Sequence, residues 1–81
     1  MPLKYTWSRT VIAGDPQPYD YSCRDGERGV GRVYRHHKTG WFWTMNAHGV
    51  DHSKWATSGV VDSKDEAAAM VERCYEACKA G

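Results

Sequence analysis

The stretch Ser63-Lys64-Asp65-Glu66 opens a run in which Ala67, Met70, Val71, Cys74, Tyr75 and Cys78 recur at three- and four-residue spacing. The first four residues form a capping box: the Ser63 hydroxyl can accept the Glu66 amide, and the Glu66 carboxylate can reach back. Acids in the first turn suit the helix dipole, and Lys79 and Gly81 close the other end. The spacing predicts one helix with one apolar stripe. Everything before it reads as strands and turns, so the fold expected is α+β, with a single C-terminal helix packed on one face of an antiparallel sheet. One such helix covers only one face, and the other face is left to water, a partner or a second copy.

Three to four strands are expected. Residues 3–12 alternate, with Leu3, Tyr5, Trp7 and Val11 on one side and Lys4, Thr6, Ser8 and Thr10 on the other. Residues 13–27 contain Gly14, Pro16, Pro18 and Gly26 among several aspartates, which predicts a long loop. Tyr19, Tyr21 and Cys23 alternate inside that loop and can supply a short strand or an edge contact. Residues 28–36 and 41–46 form a hairpin around His37-Lys38-Thr39-Gly40, and Gly29 and Gly31 mark a bulge at its start. A polar connection, 47–54, leads to a last strand over 55–61.

The hairpin concentrates the chain's distinctive chemistry. Its turn length decides which residues share a face. A two- or four-residue turn pairs Tyr34 with Trp43 and His36 with Trp41, and adds Arg32 and Met45 to that face. A three-residue turn pairs Val33 with Trp43 and Arg35 with Trp41. The first register is preferred because Gly40 can end a tight turn. In either register an arginine lies beside a tryptophan, a pairing favoured on binding surfaces. The candidate binding residues are therefore Arg32, Tyr34, Arg35, His36, Lys38, Trp41 and Trp43. The alternative is that Trp41 and Trp43 fill the core opposite the small side chains of the helix. Four tryptophans and five tyrosines are many for one side of so small a core, and some are expected on the open face or in an oligomer interface.

At 81 residues with 41% hydrophobic and 26% charged side chains, the chain is expected to be one globular domain spanning 1–81. No apolar run marks a signal peptide or a membrane span, so a cytoplasmic protein without membrane contact is expected. The net charge is +1, yet Arg28, Arg32, Arg35, Lys38 and Lys54 face only Asp51 within residues 28–55. A basic hairpin face and an acidic C-terminal face are expected from this asymmetry.

No catalytic or metal pattern stands out. His48 and His52 have i, i+4 spacing, but Gly49 and the loop setting argue against a helix that would present them to zinc. Cys23, Cys74 and Cys78 are an odd number, and Cys74 and Cys78 fall in the helix stripe, where they read as structural. Gly26-Glu27-Arg28-Gly29-Val30-Gly31 precedes a strand and does not open a helix, as a phosphate loop would. No spacing marks a nucleophile and its base, so a non-enzymatic role without cofactor is expected.

Gly31-Arg32-Val33-Tyr34-Arg35, Gly40-Trp41-Phe42-Trp43, Ser58-Gly59 and Ser63-Lys64-Asp65-Glu66-Ala67-Ala68 together resemble an outline shared by short uncharacterised proteins of bacteria and their phages. That outline is Gly-Arg-Ile-Tyr, Trp-x-Trp, then a helix opening Ser/Thr-x-Glu-Glu-Ala. It covers about residues 30–70 and implies the fold but no activity. The order of strands and helix is also similar to the DNA-binding domain of plant ethylene-responsive factors and the arm-binding domain of phage integrases. That resemblance implies DNA contact by sheet residues, with Arg32, Arg35, Trp41 and Trp43 as the nearest matches. The last strand lacks the Trp-Leu-Gly pattern of those domains, and the helix lacks their Ala-Tyr-Asp.

Three functions rank in order. The first is a protein-interaction module, an inhibitor or adaptor of a phage or mobile element, that binds a larger protein through the hairpin and the long loop. The second is DNA or RNA binding by the basic sheet face, against which the low net charge tells. The third is a homodimer in which exposed aromatics pair with their own copy.

Overall fold

The computed structural model describes residues 3–36 and 40–79. Its elements are β1 (Thr6–Ile12), β2 (Asp15–Asp25), β3 (Arg28–His36), β4 (Gly40–Met45), β5 (Ser58–Val61) and the helix α1 (Lys64–Lys79). The strands form one antiparallel sheet in the order β1-β2-β3-β4-β5, so each strand pairs with its neighbours in sequence. The α+β expectation holds, with α1 lying over β3, β4 and β5. The helix begins with Ser63 as its cap, as expected. The Ser63 hydroxyl accepts the Glu66 amide at 3.1 Å, and the Ser63 carbonyl accepts that of Ala67 at 3.0 Å.

The strand count corrects the sequence reading. Most of the expected loop at 13–27 is the 11-residue strand β2. Its prolines are tolerated because of where they fall. Pairing with β3 begins only at Asp20, so Pro16 and Pro18 sit in the part of β2 that has β1 on one side alone. A proline on such an edge removes no ladder bond. The β1–β2 turn is two residues, Ala13 and Gly14, both with positive φ (53° and 81°), the backbone of a tight hairpin turn. The last strand is also shorter than expected, because Trp55 packs against the core from the connection that precedes it.

The core lies between the sheet and α1. Cys23, Val33, Trp43 and Met45 from the sheet meet Ala67, Val71, Cys74, Tyr75 and Cys78 from the helix. This is the apolar stripe read from the sequence, with Met70 only partly buried and Ala68 and Glu72 added to the buried set. The expected bulge is present. Cys23 pairs with Gly31 but Arg24 pairs with Gly29, and the extra residue, Val30, turns into the core. Gly31 lies close under the helix: a Cβ there would lie 2.3 Å from the Thr44 carbonyl oxygen of the neighbouring strand and 2.7 Å from Val71 Cγ1 of α1.

Glu72 is buried on the helix side, and among the described residues no cationic side chain forms an ion pair with it. Its carboxylate instead accepts the backbone amides of Lys4 (2.7 Å) and Tyr5 (3.1 Å) and the indole N–H of Trp7 (2.8 Å). Three donors satisfy the buried charge and tie the segment leading into β1 to the helix.

Candidate functional site

The hairpin register decides the site. His36 pairs with Gly40, Arg35 with Trp41, Tyr34 with Phe42 and Val33 with Trp43. The preferred two- or four-residue turn is therefore wrong, and the three-residue alternative is right. The turn residues themselves, including the candidate Lys38, lie outside the described residues. The energetic reason is burial. This register places Val33 and Trp43 together under the helix, at 0% and 3% exposure, whereas the other would have put Tyr34 and the Arg32 guanidinium there with Trp43. Burying two large apolar side chains is worth about 1.5–3 kcal/mol each, and burying an arginine costs free energy.

The candidate residues consequently divide between two surfaces. Arg32, Tyr34 and His36 point to the outer face, away from the helix. Arg35, Trp41 and Trp43 point to the helix side, with Trp43 inside the core.

On the outer face, adjacent strands build a connected row. Arg32 donates through Nε to Asp20 Oδ1 at 2.8 Å and through Nη2 to Asp20 Oδ2. Thr10 adds a hydroxyl hydrogen bond to Asp20 Oδ1 at 2.8 Å and lies 2.7 Å from the Ser22 hydroxyl. Burial would raise the Asp20 carboxyl, but the hydrogen bonds from Arg32 and Thr10 and the Arg32 charge outweigh it, so the group titrates below its ordinary value. The Arg32 guanidinium lies over the Tyr34 ring, 5.2 Å from its centroid. Tyr34 and Phe42 are 5.0 Å apart between ring centroids, and His36 lies 6.5 Å from Phe42. Val60, opposite Phe42 on β5, is 52% exposed. Among the described residues no helix or strand covers this face.

On the helix side, Tyr19 and Tyr21 of β2 flank Trp41, with centroids 6.5 Å and 6.4 Å away. Arg35 lies over the Tyr19 ring at 5.4 Å, and Lys64 over the Tyr21 ring at 4.8 Å. Arg35 lies opposite Trp41 across the hairpin, as this register requires, while the guanidinium groups of Arg32 and Arg35 stack on Tyr34 and Tyr19. Tyr19 adopts φ 57°, an uncommon conformation for a non-glycine residue. This cluster leads into a cleft of about 420 Å³ beside the start of α1, between β1 and the helix.

The basic hairpin face is not assembled as one surface. Arg32 is held against Asp20 on one side of the sheet, and Arg35 is on the other side. Sequence reasoning missed Asp20, Thr10, Tyr19 and Phe42. The alternation of Tyr19, Tyr21 and Cys23 was the available signal, because it implies a strand that sends Asp20 the opposite way.

The remaining chemistry-bearing groups are accounted for locally. His52 donates a ring N–H to the Ala47 carbonyl at 2.6 Å within the connection before β5. Cys23, Cys74 and Cys78 are buried free thiols, and Cys74 donates to the Ala56 carbonyl at 3.2 Å. Burial pushes the Cys23 and Cys74 thiols up to about 12. Among the described residues, no three His, Cys, Asp or Glu side chains gather where they could hold a metal ion. None of the described helices is long and apolar enough to cross a membrane. Comparison of the chain with family models, with curated proteins and with solved structures finds no match.

Proposed function

We propose that this protein is a non-enzymatic protein-interaction module that binds a larger partner through the outer face of its sheet. The observation that carries the reading is the Tyr34–Phe42 ring pair, 5.0 Å between centroids, on a sheet face that no described element covers. With Val60 exposed beside it, this is an apolar strip bordered by polar groups, the composition of an interface centre and its rim. The Arg32–Asp20 pair fixes one edge of the strip and makes it electrically neutral, which suits a protein surface better than a phosphate backbone.

The division of Arg32 and Arg35 between faces weighs against DNA or RNA binding by the sheet, since few cations then face one strand of phosphates. Two measurements separate the readings. Capture from a lysate of the source organism with the wild type and a Tyr34→Ala/Phe42→Ala variant should yield a partner that the folded variant fails to retain. Anisotropy of labelled single- and double-stranded oligonucleotides at low salt should show no binding that weakens with salt. A partner retained equally by the double variant would count against the outer face, and salt-sensitive oligonucleotide binding would favour the nucleic-acid reading.

A further inference from the structure

The outer face does not use the cleft on the opposite side of the sheet. That cleft has an apolar floor and wall formed by Trp7, Tyr21, Val33 and Ala68. Arg9 and Lys64 stand at its rim, with Asp65 the one carboxylate among the lining residues. Its volume, about 420 Å³, falls in the range of about 300–1,000 Å³ typical of ligand clefts and has room for one aromatic side chain with its flanking backbone.

Two features define what would fit. The first is the strand that forms one wall. β1 pairs with β2 alone, so its other edge carries unpaired backbone donors and acceptors. The pairing of β1 is regular from Thr6 to Arg9 and shifts only between Arg9 and Val11. The regular stretch is therefore the one whose Trp7, Ser8 and Arg9 line the cleft. An extended segment laid along it would add a strand and send alternate side chains toward the floor. The second feature is charge. Two cations against one carboxylate favour a ligand carrying a few negative charges, and are too few to neutralise a run of phosphates.

We propose that the cleft and the Thr6–Arg9 edge together take an extended acidic peptide segment of a partner protein. One bulky apolar side chain of that segment seats against Trp7, and its carboxylates face Arg9 and Lys64. Trp7 is held ready for this role because its indole N–H is already bound to Glu72, which fixes the ring as a wall of the cleft.

The test is a titration of ¹⁵N-labelled protein with a blocked acidic peptide that has one central tryptophan between aspartates and glutamates. The same peptide with asparagine and glutamine in place of the acids, and an oligothymidylate, serve as comparisons. The expected result is movement of the Trp7 indole and the Arg9, Tyr21 and Ala68 amide signals with the acidic peptide. Binding should weaken by about tenfold or more in an Arg9→Glu/Lys64→Glu variant, a change of about 1.4 kcal/mol per tenfold. Both substituted side chains are exposed, and the dispersion of the variant's spectrum verifies its fold. The proposal is overturned if millimolar acidic peptide moves none of these signals or if the amide peptide binds as well. It is also overturned if the charge-reversed variant binds undiminished, or if only the oligothymidylate produces the shifts.

Discussion

The indole N–H of Trp7 donates to Glu72 Oε2 at 2.8 Å, joining the sheet's edge strand to the middle of its helix. The same carboxylate receives two backbone amides from the segment before β1, so one buried side chain organises the edge of the sheet and a wall of the cleft.

Replacing Glu72 with alanine should leave three donors without their acceptor. At about 1 kcal/mol for each, the loss is about 3 kcal/mol, and Glu72→Gln, which keeps one acceptor oxygen, should lose about 1–2 kcal/mol. Urea denaturation followed by tryptophan fluorescence checks both values, and equal stability of Glu72→Ala and the wild type would show that the contact does not hold β1.

Gly31 and Gly29 belong to the same strand but should respond very differently to alanine. A Cβ at Gly31 meets the Thr44 carbonyl oxygen and Val71, whereas a Cβ at Gly29 has nothing within 4 Å. Gly31→Ala should cost about 2 kcal/mol or more because the obstructing atom is backbone, while Gly29→Ala should stay within about 0.5 kcal/mol. Thermal melts of the two variants provide the comparison.

Asp20 makes the outer face sensitive to acid. Its folded carboxyl titrates below the ordinary value, so its stabilising contribution is complete above the unfolded value, about 3.9, and is lost as pH falls through the folded one. Glu76 has the same sign of dependence. Hydrogen bonds from Lys4, then Tyr5, then Lys79 hold it down to about 2. Comparing wild type with Asp20→Asn therefore isolates the Asp20 contribution. The variant should be less stable by about 1 kcal/mol at neutral pH, a modest figure because Arg32 is partly exposed, and the gap should close in acid. A gap that persists unchanged to the lowest pH at which the protein stays folded would contradict this assignment.

The thiols should be inert in the native protein. Cys23 and Cys74 are buried and titrate near 12, and Cys78 is 2% exposed in the same core. A disulfide reagent at pH 8 should modify none of the three until denaturant is added, and then all three. Rapid labelling without denaturant would mean that α1 opens readily from the sheet.

Local signals in the sequence carried much of this fold. The Ser63 cap, the helical stripe and the two strands of the central hairpin are each written in neighbouring residues, and each is present. What stayed hidden depended on long-range partners. Proline marked residues 15–19 as loop because sequence does not show that this part of β2 lacks β3 on its far side. The hairpin register depended on which pairing buried Val33 and Trp43 together, a property of the helix packed above them and not of Gly40. Nothing near Glu72 in the sequence marks it as buried, because its donors lie more than 60 residues earlier. Arg32 and Arg35, three residues apart on one strand, face opposite sides in any register; what the register decided is that Trp41 and Trp43 share the face of Arg35 and not that of Arg32.

The neighbour-to-neighbour order of the five strands has a kinetic consequence. The hairpins from β1 to β4 close over short connections, so that part of the sheet can zip with little entropy lost at any step, whereas β5 joins across the longer connection 46–57. The closures that do not follow this scheme join the β1 end of the sheet to α1, among them Trp7 to Glu72, which spans 65 residues and requires α1 to be in place. β1 should therefore pair early but become immobile late, clasped only when the helix docks. During synthesis the apolar underside of the sheet would stay uncovered until the helix emerges, and that interval is when the chain is most exposed to misassociation with its own copies.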